Sequence, residues 1–97
     1  MRYNKSMKTA IKMTDNYIYI GEDTDNMIGF IKYYINRNGI IIAEHTLVIP
    51  EAQGKGYAKK LFLRLIELAE SKNTKITAYC SYVHQHLNTP EFARYLA

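Results

Sequence analysis

The spacing of apolar residues changes abruptly between Val48 and Leu61, and that change constrains the fold more than any other feature. Upstream, Ile40-Ile41-Ile42-Ala43-Glu44-His45-Thr46-Leu47-Val48 is β-branched and near-continuously apolar at its start, as in a central strand buried on both faces. Pro50 ends it, because proline cannot donate to a ladder. Downstream, Ala58, Leu61, Phe62, Leu65, Leu68 and Ala69 recur at helical spacing, while Lys59, Lys60, Arg64, Glu67 and Glu70 take the other side. The spacing predicts a helix from about Lys55 to Lys72, with Asn73 as its stop. Between strand and helix lies Gln53-Gly54-Lys55-Gly56-Tyr57-Ala58. A glycine turn there aims unpaired backbone N–H groups and the positive end of a helix dipole at one point, which attracts phosphate.

The remaining elements follow from local signals. Residues 16–22 and 27–36 are rich in aromatic and β-branched types and read as strands, with polar turn residues between them. Asn38-Gly39 is a strong hairpin signal. Residues 74–80 predict a short final strand, Ser81 a helix N-cap, and residues 81–87 a short helix. Beyond Pro90 another helical turn fits Glu91 to Leu96. Strands 40–48 and 74–80 should be parallel, joined by a right-handed helical crossover. The expected class is α/β, an α+β mixed sheet: antiparallel strands, then a β-α-β unit and short C-terminal helices.

A chain of 97 residues leaves room for one domain, 1–97. No apolar stretch is long enough to span a membrane, and the N-terminus lacks the pattern of a signal peptide. The lone Cys80 has no internal disulfide partner, which favours a reducing, cytoplasmic setting. Arg2, Lys5, Lys8 and Lys12 precede the first acid, Asp15, so residues 1–12 read as a basic tail or a first strand. A net charge of +4 is a weak argument for nucleic acid, and no aromatic–glycine RNA signature or zinc-finger spacing supports it.

Lys55, Lys59 and Lys60 crowd the helix start, where the dipole disfavours cations and a bound polyanion would reverse the penalty. The alternative is a tight turn with solvated lysines. A Walker loop fails because Tyr57 follows Gly56, and a dinucleotide fingerprint fails because Lys59 stands where a third glycine belongs. The order Val48, Pro50, Gln53, Gly54, Gly56, Ala58, with Leu61 after it, resembles the acetyl-coenzyme A signature of the GNAT superfamily of N-acetyltransferases. Glu44-His45-Thr46 before the turn and Cys80-Ser81-Tyr82-Val83 after the last strand resemble the minimal, single-domain, cysteine-containing members. The resemblance covers residues 16–95. Thr89-Pro90-Glu91-Phe92 departs from the His-Pro-Glu-Tyr ending common there, so no role for that histidine carries over.

By this resemblance the chain is an acetyl-CoA-dependent N-acetyltransferase with an unidentified amine acceptor, a small molecule or a protein. Backbone amides of Gln53, Gly54, Lys55, Gly56, Tyr57 and Ala58 would hold the pyrophosphate of coenzyme A. Leu47 and Val48 would pair with its pantetheine arm. Cys80, at a strand end and before a helix, can accept the acetyl group or protonate the coenzyme's sulfur. Otherwise it is a small buried hydrophobe. His45 can serve as general base, or as a hydrogen-bonded structural histidine. Unbroken alternation would set Glu44 and His45 on opposite faces. Tyr82 and Tyr95 are proton donors by analogy with larger relatives, or packing and stacking residues. His84 and His86 do not share a helix face, and no metal is expected. The competing function is a non-catalytic acyl-coenzyme A binding or interaction module.

Overall fold

A computed structural model describes residues 10–97, and the basic residues Arg2, Lys5 and Lys8 lie outside it. Its sheet has five strands in sequential order: β1 (Ile11–Met13), β2 (Tyr17–Gly21), β3 (Met27–Ile35), β4 (Ile41–Val48) and β5 (Ile76–Ala78). Neighbours are antiparallel except β4 and β5, which are parallel. Helix α1 (Tyr57–Ser71) connects that parallel pair, and α2 (Ser81–Leu87) follows it. The mixed sheet and its β-α-β unit are as the sequence predicts. Of the N-terminal basic stretch, Lys12 lies in the edge strand β1.

The β3–β4 hairpin is built by its own side chains. Asn36 Oδ1 accepts from the backbone N–H of Asn38 at 2.9 Å and of Ile40 at 3.0 Å, and Gly39 takes φ +80°. A left-handed residue is needed there, and glycine has no Cβ to oppose it.

Both helices pack on one face of the sheet. Leu61, Phe62, Leu65 and Ala69 of α1, and Val83 and Leu87 of α2, are fully buried against Ile18, Ile20, Ile31, Ile41, Ala43 and Ile76. Each large apolar side chain so buried contributes about 1.5–3 kcal/mol. Gly29 admits the close approach: a Cβ there would sit 3.3 Å from Val48 Cγ2 and 3.5 Å from Leu61 Cδ1.

Several boundaries differ from expectation. Helix α1 begins at Tyr57, because Gly56 at φ +80° and ψ 12° cannot be its first residue. Its end is as expected: Asn73 takes φ +50°, and Thr74 N–H returns to Ala69 O at 3.0 Å. Strand β5 stops at Ala78, short of the expected 80, because its neighbour leaves it. Cys80, and not Ser81, is the N-cap of α2; its carbonyl accepts the His84 N–H at 3.0 Å, and no side chain caps the helix. After Pro90 the chain makes only a 3-10 turn, Ala93–Tyr95, and Leu96 then bridges to Ile76 beside β5.

A β-bulge sets the geometry of the second half of β4. Tyr33 pairs with Ala43 while Lys32 pairs with His45, which leaves Glu44 as an extra residue without a partner on β3. Such a bulge bends and twists its strand. The parallel ladder ends at the same place, with Tyr79 N–H donating to Ala43 O at 2.9 Å as its last rung. Beyond Ala43, β4 and β5 diverge.

Candidate functional site

The glycine turn leaves a helix end uncapped. The first bond inside α1 runs from Lys60 N–H to Gly56 O at 3.1 Å, so the N–H groups of Tyr57, Ala58 and Lys59 have no helical acceptor. No side chain caps them, and the first turn holds no acid. Gly54 also sits at φ +80°, and a Cβ at Gly54 or Gly56 would meet nothing within 4 Å. Both glycines therefore answer to backbone conformation, not crowding, and the space before the amides stays open. A cavity of about 180 Å³ lies there, walled by Val48, Gln53, Gly54, Gly56, Tyr57, Ala58 and Lys59, with Tyr82 of α2 reaching in. Leu47 and Lys55 lie outside that wall. Gln53 turns back on the strand, its Nε2 donating to Val48 O at 3.0 Å. Uncapped N–H groups, left-handed glycines and lysines fit a phosphate.

The diverging strands supply the adjoining feature. Ile49 N–H donates to Ile28 O at 2.9 Å, and bonded and non-bonded pairs alternate along an antiparallel ladder. Leu47, opposite Phe30, therefore directs its backbone groups at β3, whereas Thr46 and Val48 direct theirs at the gap left by β5. A polar edge of that kind calls for a partner.

Register also decides sides. Thr46 pairs with Ile31, and Ala43 with Tyr33, so Thr46 and Ala43 share the helix-bearing face. Cys80 joins them there, packed against the core, with its Sγ donating to Thr46 Oγ1 at 3.2 Å. His45 pairs with Lys32 on the other face and is exposed. Glu44 follows Ala43 and, as the extra residue of the bulge, falls on the face of His45. The alternation expected of Glu44 and His45 is broken, because the bulge inserts one residue. Cys80 and His45 thus flank the gap from opposite sides of the sheet.

Tyr82, expected as a proton donor or a packing and stacking residue, lines the cavity wall. Its ring lies 4.4 Å from that of His86, which in turn lies 5.3 Å from Phe62. Burial, and secondarily the nearby Cys80, push its hydroxyl pKa up, which keeps it a hydrogen-bond donor. Tyr95 is elsewhere. Its hydroxyl donates to Glu70 Oε2 at 2.6 Å near the far end of α1, about 20 Å from the glycine turn by helical rise. His84 is exposed on α2, and among the described residues no group of three or more metal-capable side chains occurs.

A mixed sheet that opens beside an uncapped glycine turn has the geometry to take a phosphate-bearing ligand along a strand edge. Comparison gives the family. Residues 16–95 match the model of the GCN5-related N-acetyl-transferases, and the chain belongs to that family. Its fold is similar to the solution structure of a GCN5-like protein from Staphylococcus aureus, at 33% identity and a TM-score of 0.73, over 93% of this chain and 89% of that one. It is also similar to a ribosomal-protein-alanine N-acetyltransferase from Brucella melitensis biovar Abortus, at 24% identity and a TM-score of 0.54. That likeness covers 80% of this chain but 56% of the other, and it speaks for the fold alone. A search of curated proteins finds no match. No helix among the described residues is long and apolar enough to cross a membrane.

Proposed function

We propose that this chain, as one acetyltransferase-like domain, transfers the acetyl group of acetyl-coenzyme A to an amine. The observation that carries the reading is the continuity of the uncapped glycine turn with the unpaired edge of β4. The amides of Gly54 to Lys59 bind the pyrophosphate, aided by the lysines. The backbones of Thr46 and Val48 bind the pantetheine arm, and a backbone N–H on that edge polarises the thioester carbonyl. The amine enters from the other face, where His45 takes its proton. As the new C–N bond forms and the C–S bond breaks, the Cys80 thiol protonates the departing sulfur. Solvent then restores the Cys80 proton. The single cysteine fits a reducing, cytoplasmic site of action.

Coenzyme A at one hundred times its Kd should raise Tm by roughly 10 °C or more. Gly56→Ala, strained by about 1–2 kcal/mol at its left-handed position, should lose most of that shift. No shift at saturation in the unmodified protein would refute the reading. A non-catalytic acyl-coenzyme A module would show the shift without turnover. Mass analysis of a panel of amines after incubation with acetyl-coenzyme A separates the two.

A further inference from the structure

A cavity of about 380 Å³ opens at the C-terminal end of α1, lined by Glu70, Asn73, Thr74, Lys75, Arg94 and Tyr95. It is larger than the cavity of about 180 Å³ at the glycine turn, and its size is that of a small-molecule site. Helical rise sets it about 20 Å from that turn. Thr74 and Lys75 precede β5, whereas the opening beside β4 follows it. An occupant of this cavity is therefore remote from the thioester.

Opposite charges meet here without pairing directly. Arg94 Nη2 donates to the Tyr95 hydroxyl at 3.0 Å, and that hydroxyl donates to Glu70 Oε2 at 2.6 Å. Tyr95 is only 7% exposed, so it holds guanidinium and carboxylate apart at a fixed spacing. Arg94 also lies over the Tyr95 ring, 4.7 Å from its centroid, and its Nη1 donates to Glu91 O at 3.3 Å. Its remaining N–H donors, and the second oxygen of Glu70, have no partner among the described residues. Lys75 forms no ion pair either, since the one among the described residues is Arg64–Glu67.

These groups select by charge. A polyanion would meet the Glu70 carboxylate and the negative end of α1, and a polycation would meet Arg94 and Lys75. A dipolar ligand satisfies both sides: its carboxylate takes the fork of Arg94, and its ammonium takes the free oxygen of Glu70. The hydroxyl between them sets that spacing, and an α-amino acid carries both charges on one carbon and spans it. Lys75 is a second cation and suits a second carboxylate. We propose that this cavity binds an acidic α-amino acid, with its α-carboxylate on Arg94, its α-ammonium on Glu70 and its side-chain carboxylate on Lys75. The site is distinct from the glycine turn and does not depend on acetyl transfer.

The test is a titration of the full chain with sodium L-glutamate at constant ionic strength, followed by backbone amide chemical shifts. Two controls each lack one group. Glutarate has both carboxylates without the ammonium, and L-norvaline has the α-ammonium and α-carboxylate without the second acid. Glutamate should shift the amides of Glu70, Asn73, Lys75 and Arg94, and each control should bind about tenfold more weakly, for the loss of one charged contact. Glu70→Gln, which keeps an acceptor for the Tyr95 hydroxyl, should weaken glutamate about tenfold without weakening glutarate. Lys75→Met should weaken glutamate and leave norvaline unchanged. An unchanged spectrum away from the cavity establishes that each variant is folded, and the comparison of the three compounds on the parent chain decides without the variants. Equal shifts from all three compounds, shifts centred elsewhere, or none up to about 10 mM, well above a millimolar Kd, would each overturn the inference.

Discussion

The Cys80 thiol donates to the Thr46 hydroxyl at 3.2 Å and ties the chain leaving β5 to the free edge of β4. The bond crosses the gap where the parallel ladder has already ended. It fixes the sulfur at the helix-bearing side of the opening and gives it a hydroxyl that can turn to donate once the thiol has lost its proton.

That arrangement predicts the reactivity of the thiol. A hydrogen bond to an ion is worth about 1.5–3 kcal/mol, against about 0.5–1.5 for a neutral pair. The Thr46 hydroxyl can therefore support the charge that the sulfur carries as it attacks an alkylating agent. Thr46→Val should slow alkylation of Cys80 by iodoacetamide at pH 7.5 by about fivefold. Faster alkylation in the variant would mean that the hydroxyl acts only as an acceptor and holds the thiol protonated.

The residues that announced the fold are those whose signal is local. Asn38-Gly39 carries its turn through its own backbone and the side chain of Asn36, and Gly54 and Gly56 state their left-handed conformation directly. The apolar stripe of α1 reports one buried face because helical spacing is fixed. The bulge at Glu44 has no such mark. It exists because the adjacent residues Lys32 and Tyr33 pair with His45 and Ala43, two residues apart instead of one, a decision made between strands. With it went the side on which His45 sits and the early end of β5. The cavity wall at Tyr82 was hidden for a similar reason: it depends on how α2 docks, through Val83 and Leu87, after the sheet is built.

Tyr82 faces the uncapped amides from across the cavity. Its raised pKa, caused first by burial and then by Cys80, keeps the hydroxyl protonated across the neutral range, so it can donate to an anion. Tyr82→Phe removes that donor and leaves the ring on His86. Calorimetry should show coenzyme A binding weakened by about ten- to a hundredfold, as expected for one hydrogen bond to a charged group. The Tm of the free protein should move little. Unchanged affinity would mean that the hydroxyl does not reach the ligand.

Tyr95 clamps the end of the described chain to α1. Its hydroxyl donates to Glu70 Oε2 at 2.6 Å and accepts from Arg94 Nη2 at 3.0 Å. The clamp holds Leu96 and Ala97 against β5, where Ala97 N–H donates to Ile76 O at 2.8 Å. The bond to Glu70 raises the Tyr95 pKa, with burial adding to it. The folded protein thus keeps this proton more tightly than the unfolded chain, whose tyrosine titrates near about 10. The contribution to stability is complete below that pH and is lost as pH rises through the higher folded value. Tyr95→Phe should lower Tm by a constant amount between pH 7 and pH 9, and the gap from the parent protein should narrow above about pH 10. A gap that stays constant to the alkaline limit would show that the hydroxyl proton is not what holds the clamp, and no gap at pH 7 would show that packing alone does.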